Sequence, residues 1–146
     1  MTSPSINRIA LFFGYLWILP VTISGLFWCK LNGATLIKVD GNGVFVFLAK
    51  PNGRYAKWFT ANGMAATTTG TCIIFADPIV LDDDSMLIHE YTHVYQSLVL
   101  GIFWILLYVS NSAVLWLMKK DDYRGNWFEK QAYRSQDVGR SLWLWE

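Results

Sequence analysis

Histidine, cysteine and charge are all scarce in this sequence, and each scarcity narrows what the chain can be. Only two histidines occur in 146 residues, His89 and His93. Only two cysteines occur, Cys29 and Cys72, and neither belongs to a C-x-x-C pair. That spacing argues against a thiolate zinc site and against a thioredoxin-like redox motif, and leaves two unpaired apolar cysteines. Charged residues make up 16% and the formal net charge is +1, with no basic stripe, so nucleic acid is not an expected partner. No internal repeat and no low-complexity segment is present.

What fills the space is apolar. Hydrophobic residues reach 53%, with 8 Trp, and they come in blocks, which points to a membrane more than to a large core. Ile9 to Trp28 carries no charged side chain and is bracketed by Arg8 and Lys30. Its length matches the roughly 20 residues a helix needs to cross the hydrocarbon of a bilayer. Tyr15, Trp17 and Trp28 suit the interfaces, and Pro20 and Gly25 are tolerated more easily in a membrane helix than in a soluble one. A cleaved signal peptide fits less well: the basic flank is a single Arg8, the apolar core is long and no A-x-A-like site follows. Ile102 to Met118 is a second apolar block, interrupted by Ser110-Asn111-Ser112, and it either meets the membrane or forms a buried helical hairpin under the sheet. The basic residues flanking the two blocks are too evenly placed to fix an orientation.

Between the blocks the pattern is first strand-like. Thr35–Val39 and Val44–Ala49 read as strands around an Asp40-Gly41-Asn42-Gly43 turn. After Pro51-Asn52-Gly53, Tyr55–Thr60 reads as a third strand, and Met64–Phe75 as one more, ended by Asp77-Pro78. Then helix takes over. Asp82 to Ser85 offer caps for a helix from Met86 to about Leu100, where Gly101 breaks or bends it. A last helix runs from Asn126, as its cap, to about Val138, and the Leu142-Trp143-Leu144-Trp145 tail looks interfacial or able to plug a groove.

His89-Glu90-Tyr91-Thr92-His93 matches H-E-x-x-H. Residues four apart on a helix project about 40° from one another, one turn along the axis, so two imidazoles so placed can bind one Zn²⁺. Glu90, about 100° around from His89, misses the metal but reaches a water on it. A catalytic zinc needs a third protein ligand, and with no third histidine it must be a carboxylate. Glu129, on the last helix, is the leading candidate, with Asp121, Asp122 and Asp137 as rivals. Gln96 follows His89 by two helical turns and could hydrogen-bond a substrate or orient a ligand; Tyr133, one turn beyond Glu129, could lean toward the metal or simply pack.

Three blocks carry a resemblance. Ala66 to Phe75 is similar to an A-x-T-x-G-x-x-I strand, His89 to Gln96 to H-E-x-x-H-x-x-Q, and Tyr123 to Tyr133 to Y-x-x-N-x-F-E-x-x-A-Y. Together they resemble the small bacterial and phage zinc metallopeptidases of gluzincin type, related to the H-E-x-x-H domain of toxin-like proteins from contractile injection systems. The likeness covers about half the chain. It implies Glu129 as the third ligand and the strand before the motif helix as a border of the substrate cleft. It departs from relatives that carry histidine after the glycine of the first block, where Thr71 stands here.

The expectation is therefore an α+β, zincin-like domain over residues 31–146, in which a short antiparallel sheet packs on the motif helix and a C-terminal ligand helix, preceded by a transmembrane anchor over 1–30. Its expected activity is that of a membrane-associated zinc endopeptidase, lodged in a bacterial or phage-encoded inner membrane. It would cleave peptide or protein substrates, membrane proteins among them, with zinc-activated water and Glu90 as general base. The alternative is a zinc-binding or membrane assembly protein that keeps the fold without catalysis.

Overall fold

Asp40 closes the first turn as its side chain dictates: Oδ1 accepts from the backbone N–H of Asn42 and Val44 at 2.9 and 2.8 Å. Strand β1 (Thr35–Val39) thereby folds back, antiparallel, onto β2 (Phe45–Leu48). The structure is a computed structural model that describes residues 8–141; the tail at 142–146 and the polar start at 1–7 lie outside the described residues. Around these strands the chain runs α1 (Arg8–Leu31), β1, β2, α2 (Arg54–Asn62), β3 (Ala66–Thr69), β4 (Cys72–Phe75), α3 (Pro78–Leu81), α4 (Asp84–Leu100), α5 (Phe103–Leu117) and α6 (Trp127–Val138).

The fold is α+β, but the four-stranded sheet is mixed where an antiparallel one was expected. Its order is β1-β2-β4-β3, and β2 pairs with β4 in parallel. Two local departures explain this. The stretch Tyr55–Thr60, expected as a strand, is the helix α2, because Tyr55 and Phe59 stand one helical turn apart and stack at 6.1 Å, with Phe59 buried. Aromatics at that spacing serve a helix as well as a strand. Met64–Phe75, expected as one strand, is the β3–β4 hairpin, folded at Gly70, whose φ is +62°. The crossover through α2 and β3 returns β4 parallel to β2.

Alternation along the central strands divides the core. Val46 and Ile73 face α4 and α1, together with Ile18, Val21 and Val94. Phe47 and Ile74 face the other way, onto α2 and the end of α1, with Cys29, Phe59 and Cys72. Each such side chain contributes about 1.5–3 kcal/mol on full burial. Because Ile18 and Val21 sit in the first cluster, α1 shares its core with the residues that follow it. By length and composition α1 can also cross a membrane, over Phe12–Leu31.

Caps fix the helices that matter for chemistry. Asp83 accepts from the N–H of Ser85 and Met86 to start α4. Gly101 ends it at φ +59°, and a Cβ there would overlap the Trp17 ring, so only glycine fits this corner. The chain then turns by 115° into α5. Asn126 caps α6 through the N–H of Phe128, and Gly139 closes it in the left-handed region.

Candidate metal centre

Helix α4 packs on α6 and under β3, and its buried face carries Ile88, His89, Thr92, His93 and Gln96. From α6, Glu129 is buried against them. His89 Nε2 and His93 Nε2 are 3.1 Å apart. Glu129 Oε2 lies 3.2 Å from the first and Oε1 lies 3.3 Å from the second. Among the described residues these three form the group able to hold a metal ion.

The hydrogen bonds around the rings decide what faces inward. Trp104 Nε1 can only donate, and it donates to Gln96 Oε1 at 3.1 Å. That fixes the amide, so His93 Nδ1, 2.8 Å from the same oxygen, must carry its proton and donate as well. The Gln96 amide nitrogen in turn donates to Phe128 O at 3.0 Å and to Gln131 Oε1 at 2.8 Å. His89 Nδ1 likewise meets Gln136 Oε1 at 3.0 Å. With the proton on Nδ1 in each ring, both Nε2 atoms present lone pairs, and they present them to each other and to a carboxylate. Among the described residues Glu129 Oε2 has no hydrogen-bond donor of its own, despite being buried. Acceptors crowded in this way repel unless protons or a cation lie between them. The separations match the roughly 3.3 Å edge of a tetrahedron whose ligands stand about 2.0–2.1 Å from a zinc ion. The donor set and its spacing therefore fit a bound metal ion.

Without a cation the same crowding appears as shifted titration. Burial opposes charge on His93, but the hydrogen bond and charge of Glu129, helped by Glu90 and Gln96, hold its pKa above the ordinary imidazole value. Where protons rather than a cation lie between the rings and the carboxylate, burial pushes the Glu129 carboxyl upward, yet the hydrogen bonds from His89 and His93, the charge of His93 and the Tyr108 hydroxyl hold it well below the usual carboxylate range.

Glu90 stays out of the triad. Its Oε2 accepts from the Thr68 hydroxyl on β3 at 2.6 Å, which ties the motif helix to the strand beside it. Of the residues singled out from sequence, His89, His93 and Glu129 converge and Gln96 orients His93. Tyr133 packs its ring edgewise on His89 at 4.8 Å. Asp121, a rival for the third ligand, instead accepts from the backbone of Tyr123 and Arg124 in the turn before α6.

Sequence reasoning missed four contributors. Tyr108 donates to Glu129 Oε1 at 2.7 Å, Trp104 holds Gln96, Gln136 holds His89, and Thr68 holds Glu90. A signal existed for the α5 pair: Trp104, Tyr108, Asn111 and Ser112 are among the few polar or amphipathic positions of a mostly apolar block, and they recur at helical spacing on one face. Asn111 and Ser112, which read as an interruption, receive hydrogen bonds from Trp127 N and Asn126 Nδ2 and so bind α5 to the start of α6.

No protein family, curated protein or solved structure matches this chain.

Proposed function

We propose that this chain is a membrane-associated zinc metallopeptidase with a zincin-like arrangement. The observation that carries the reading is the convergence of His89 Nε2, His93 Nε2 and the Glu129 carboxylate, whose Oε2 lacks a donor among the described residues, with Glu90 next to His89 on α4. Three protein ligands of this composition leave a position open, as catalytic zinc sites do and closed structural sites do not. A zinc ion held there supplies Lewis acidity toward water and toward a peptide carbonyl.

The chain's own residues do the rest. Gln96 and Gln136 hold both imidazoles in the tautomer that ligates and limit their rotation. Tyr108 steadies one oxygen of Glu129. Glu90, oriented by Thr68, accepts the proton of the attacking water and delivers it to the leaving amine. Peptide and protein segments are the substrates, and the apolar helix α1 supports attachment to a membrane.

The test uses purified full-length protein with a peptide library. Wild type should hold about one zinc per chain and cleave. Glu90→Gln should hold the same zinc and lose cleavage by at least roughly 100-fold, the scale of a general base. Equal cleavage by both proteins would remove the peptidase reading.

A further inference from the structure

Helix α1 does not stand clear of the chain it precedes. A Cβ at Gly14 would sit 3.0 Å from the Leu98 carbonyl oxygen, and one at Gly25 would sit 3.0 Å from that of Thr69. Between these points Ile18 is fully buried, and beyond them Cys29 is too. The contact thus runs from residue 14 to residue 29, about 22 Å at helical rise, most of the thickness of a hydrocarbon core. If α1 crossed a bilayer upright, the sheet and α4 would cross beside it. That arrangement is physically poor. β1 is an outer strand exposed at all five positions, Lys38 among them, and Lys50, Arg54 and Lys57, which follow β2 in the chain, are exposed too. Open sheet edges are not found in lipid, and charges there are costly.

The opposite face of α1 is apolar and exposed, with Phe13, Leu16, Trp17, Ile23, Phe27 and Leu31 along it. α5 is divided in the same way. Its inner face meets the metal centre, while Phe103, Leu106, Val109, Val114, Trp116 and Leu117 are exposed. No residue of α5 is charged, although a helix facing water normally carries charge on its outer side. The two apolar faces join at Trp17 and Phe103, whose rings are 5.8 Å apart. At 15 residues α5 is too short to cross alone. Its last turn holds the exposed Trp116, and the exposed Lys119 and Lys120 follow, the order met on leaving acyl chains for headgroups.

We propose that the chain sits on one leaflet, with α1 and α5 lying in the headgroup–acyl boundary and their outer faces in lipid. The occupant of this apolar surface is the bilayer itself. Because Tyr108 and Trp104, on the inner face of α5, touch Glu129 and Gln96, the seat holds the metal centre about one helix thickness from lipid. Peptide segments emerging from the same leaflet are then the preferred substrates, a step that rests on the peptidase reading as the seat itself does not.

Spin-label accessibility decides the seat. Nitroxides are attached to full-length protein through Leu16→Cys, Ile23→Cys, Phe27→Cys, Leu106→Cys or Val114→Cys in vesicles of neutral and anionic phospholipid. Unsubstituted protein controls for the buried Cys29 and Cys72. Collision with oxygen and with a water-soluble nickel chelate should place all five labels in lipid at a similar shallow depth, about 5–10 Å. A depth that rises to the middle of α1 and falls again would show a crossing helix and overturn the proposal. Collision with the nickel chelate at both helices would overturn it in favour of a water-facing surface, and protection from both reagents in favour of a second copy. The substrate step is read from one peptide, free or tethered by a lipid to the vesicle. Preference for the tethered form by tenfold or more supports it, and equal cleavage overturns it. Cleavage of neither form removes the peptidase reading, while the labels still decide the seat.

Discussion

Replacing Gln96 by leucine should weaken metal binding and stability together, although Gln96 is not itself a ligand. The amide is almost fully buried, and all four of its hydrogen-bonding positions are used, by His93, Trp104, Phe128 and Gln131. Leucine is similar in bulk and offers none of them. Each buried group left unpaired costs about 1–3 kcal/mol, and partial rearrangement brings the expected total to roughly 3–5 kcal/mol. That is a large share of the stability of an ordinary domain. His93 also loses the partner that fixes its proton on Nδ1, and losses of this kind lower metal affinity by about 10–100-fold. Competition titration against a chromophoric zinc chelator measures affinity, and thermal unfolding of the metal-free and zinc-loaded protein measures stability. Gln96→Glu serves as the folded control: it can still accept from His93 and Trp104 but cannot donate to Phe128 O or Gln131. It should retain more affinity than leucine. If Gln96→Leu binds zinc within about threefold of wild type and melts at the same temperature, the ring-orienting network has no energetic weight.

Other expectations follow from the same geometry. In metal-free protein, the raised pKa of His93 contributes stability that is complete below its ordinary value of 6.5 and is lost as pH rises through the folded value. The depressed pKa of Glu129 contributes stability above its ordinary 4.5 that is lost as pH falls through the folded value. The metal-free protein should therefore be steadiest between these two pH values, while the stabilisation added by zinc should grow from pH 5 to pH 8 because ligation releases protons; thermal melts across that range check both trends. Tyr108→Phe keeps the ring stack on Phe128 but removes the hydroxyl from Glu129, so zinc affinity in the chelator titration should fall about tenfold with little loss of helicity by circular dichroism. Gly70→Ala places a Cβ 2.6 Å from Thr22 Oγ1 at a positive φ, and should lower the melting temperature by several degrees, on the order of 2 kcal/mol.

Much of the candidate metal centre was legible because its information is local. The H-E-x-x-H spacing puts two imidazoles on one helix face whatever the rest of the chain does, and Asp83, Gly101 and Asn126 mark helix ends by their own chemistry. Glu129 was the leading candidate from its place on the last helix, and the resemblance strengthened it over Asp121, Asp122 and Asp137, since nothing local tells a buried carboxylate from a solvated one. The sheet was harder. Tyr55 and Phe59 favour strand by composition and helix by spacing, and the choice was made by where Phe59 could be buried. The parallel pairing of β2 with β4 depends on that choice, and so was lost with it. Tyr108 and Trp104 were hidden in a block that hydropathy reads as uniform; only the direction each side chain takes from α5 separates the face that touches Glu129 and Gln96 from the exposed face.

The central claim is that His89, His93 and Glu129 hold one metal ion, and zinc-edge X-ray absorption on full-length protein tests it most directly. Stoichiometric zinc with two imidazole nitrogens and oxygen ligands at about 2.0–2.2 Å, lost from Glu129→Ala, is the predicted result. A sulfur shell near 2.3 Å, or zinc that dialysis removes as readily from wild type as from His89→Ala, would contradict it.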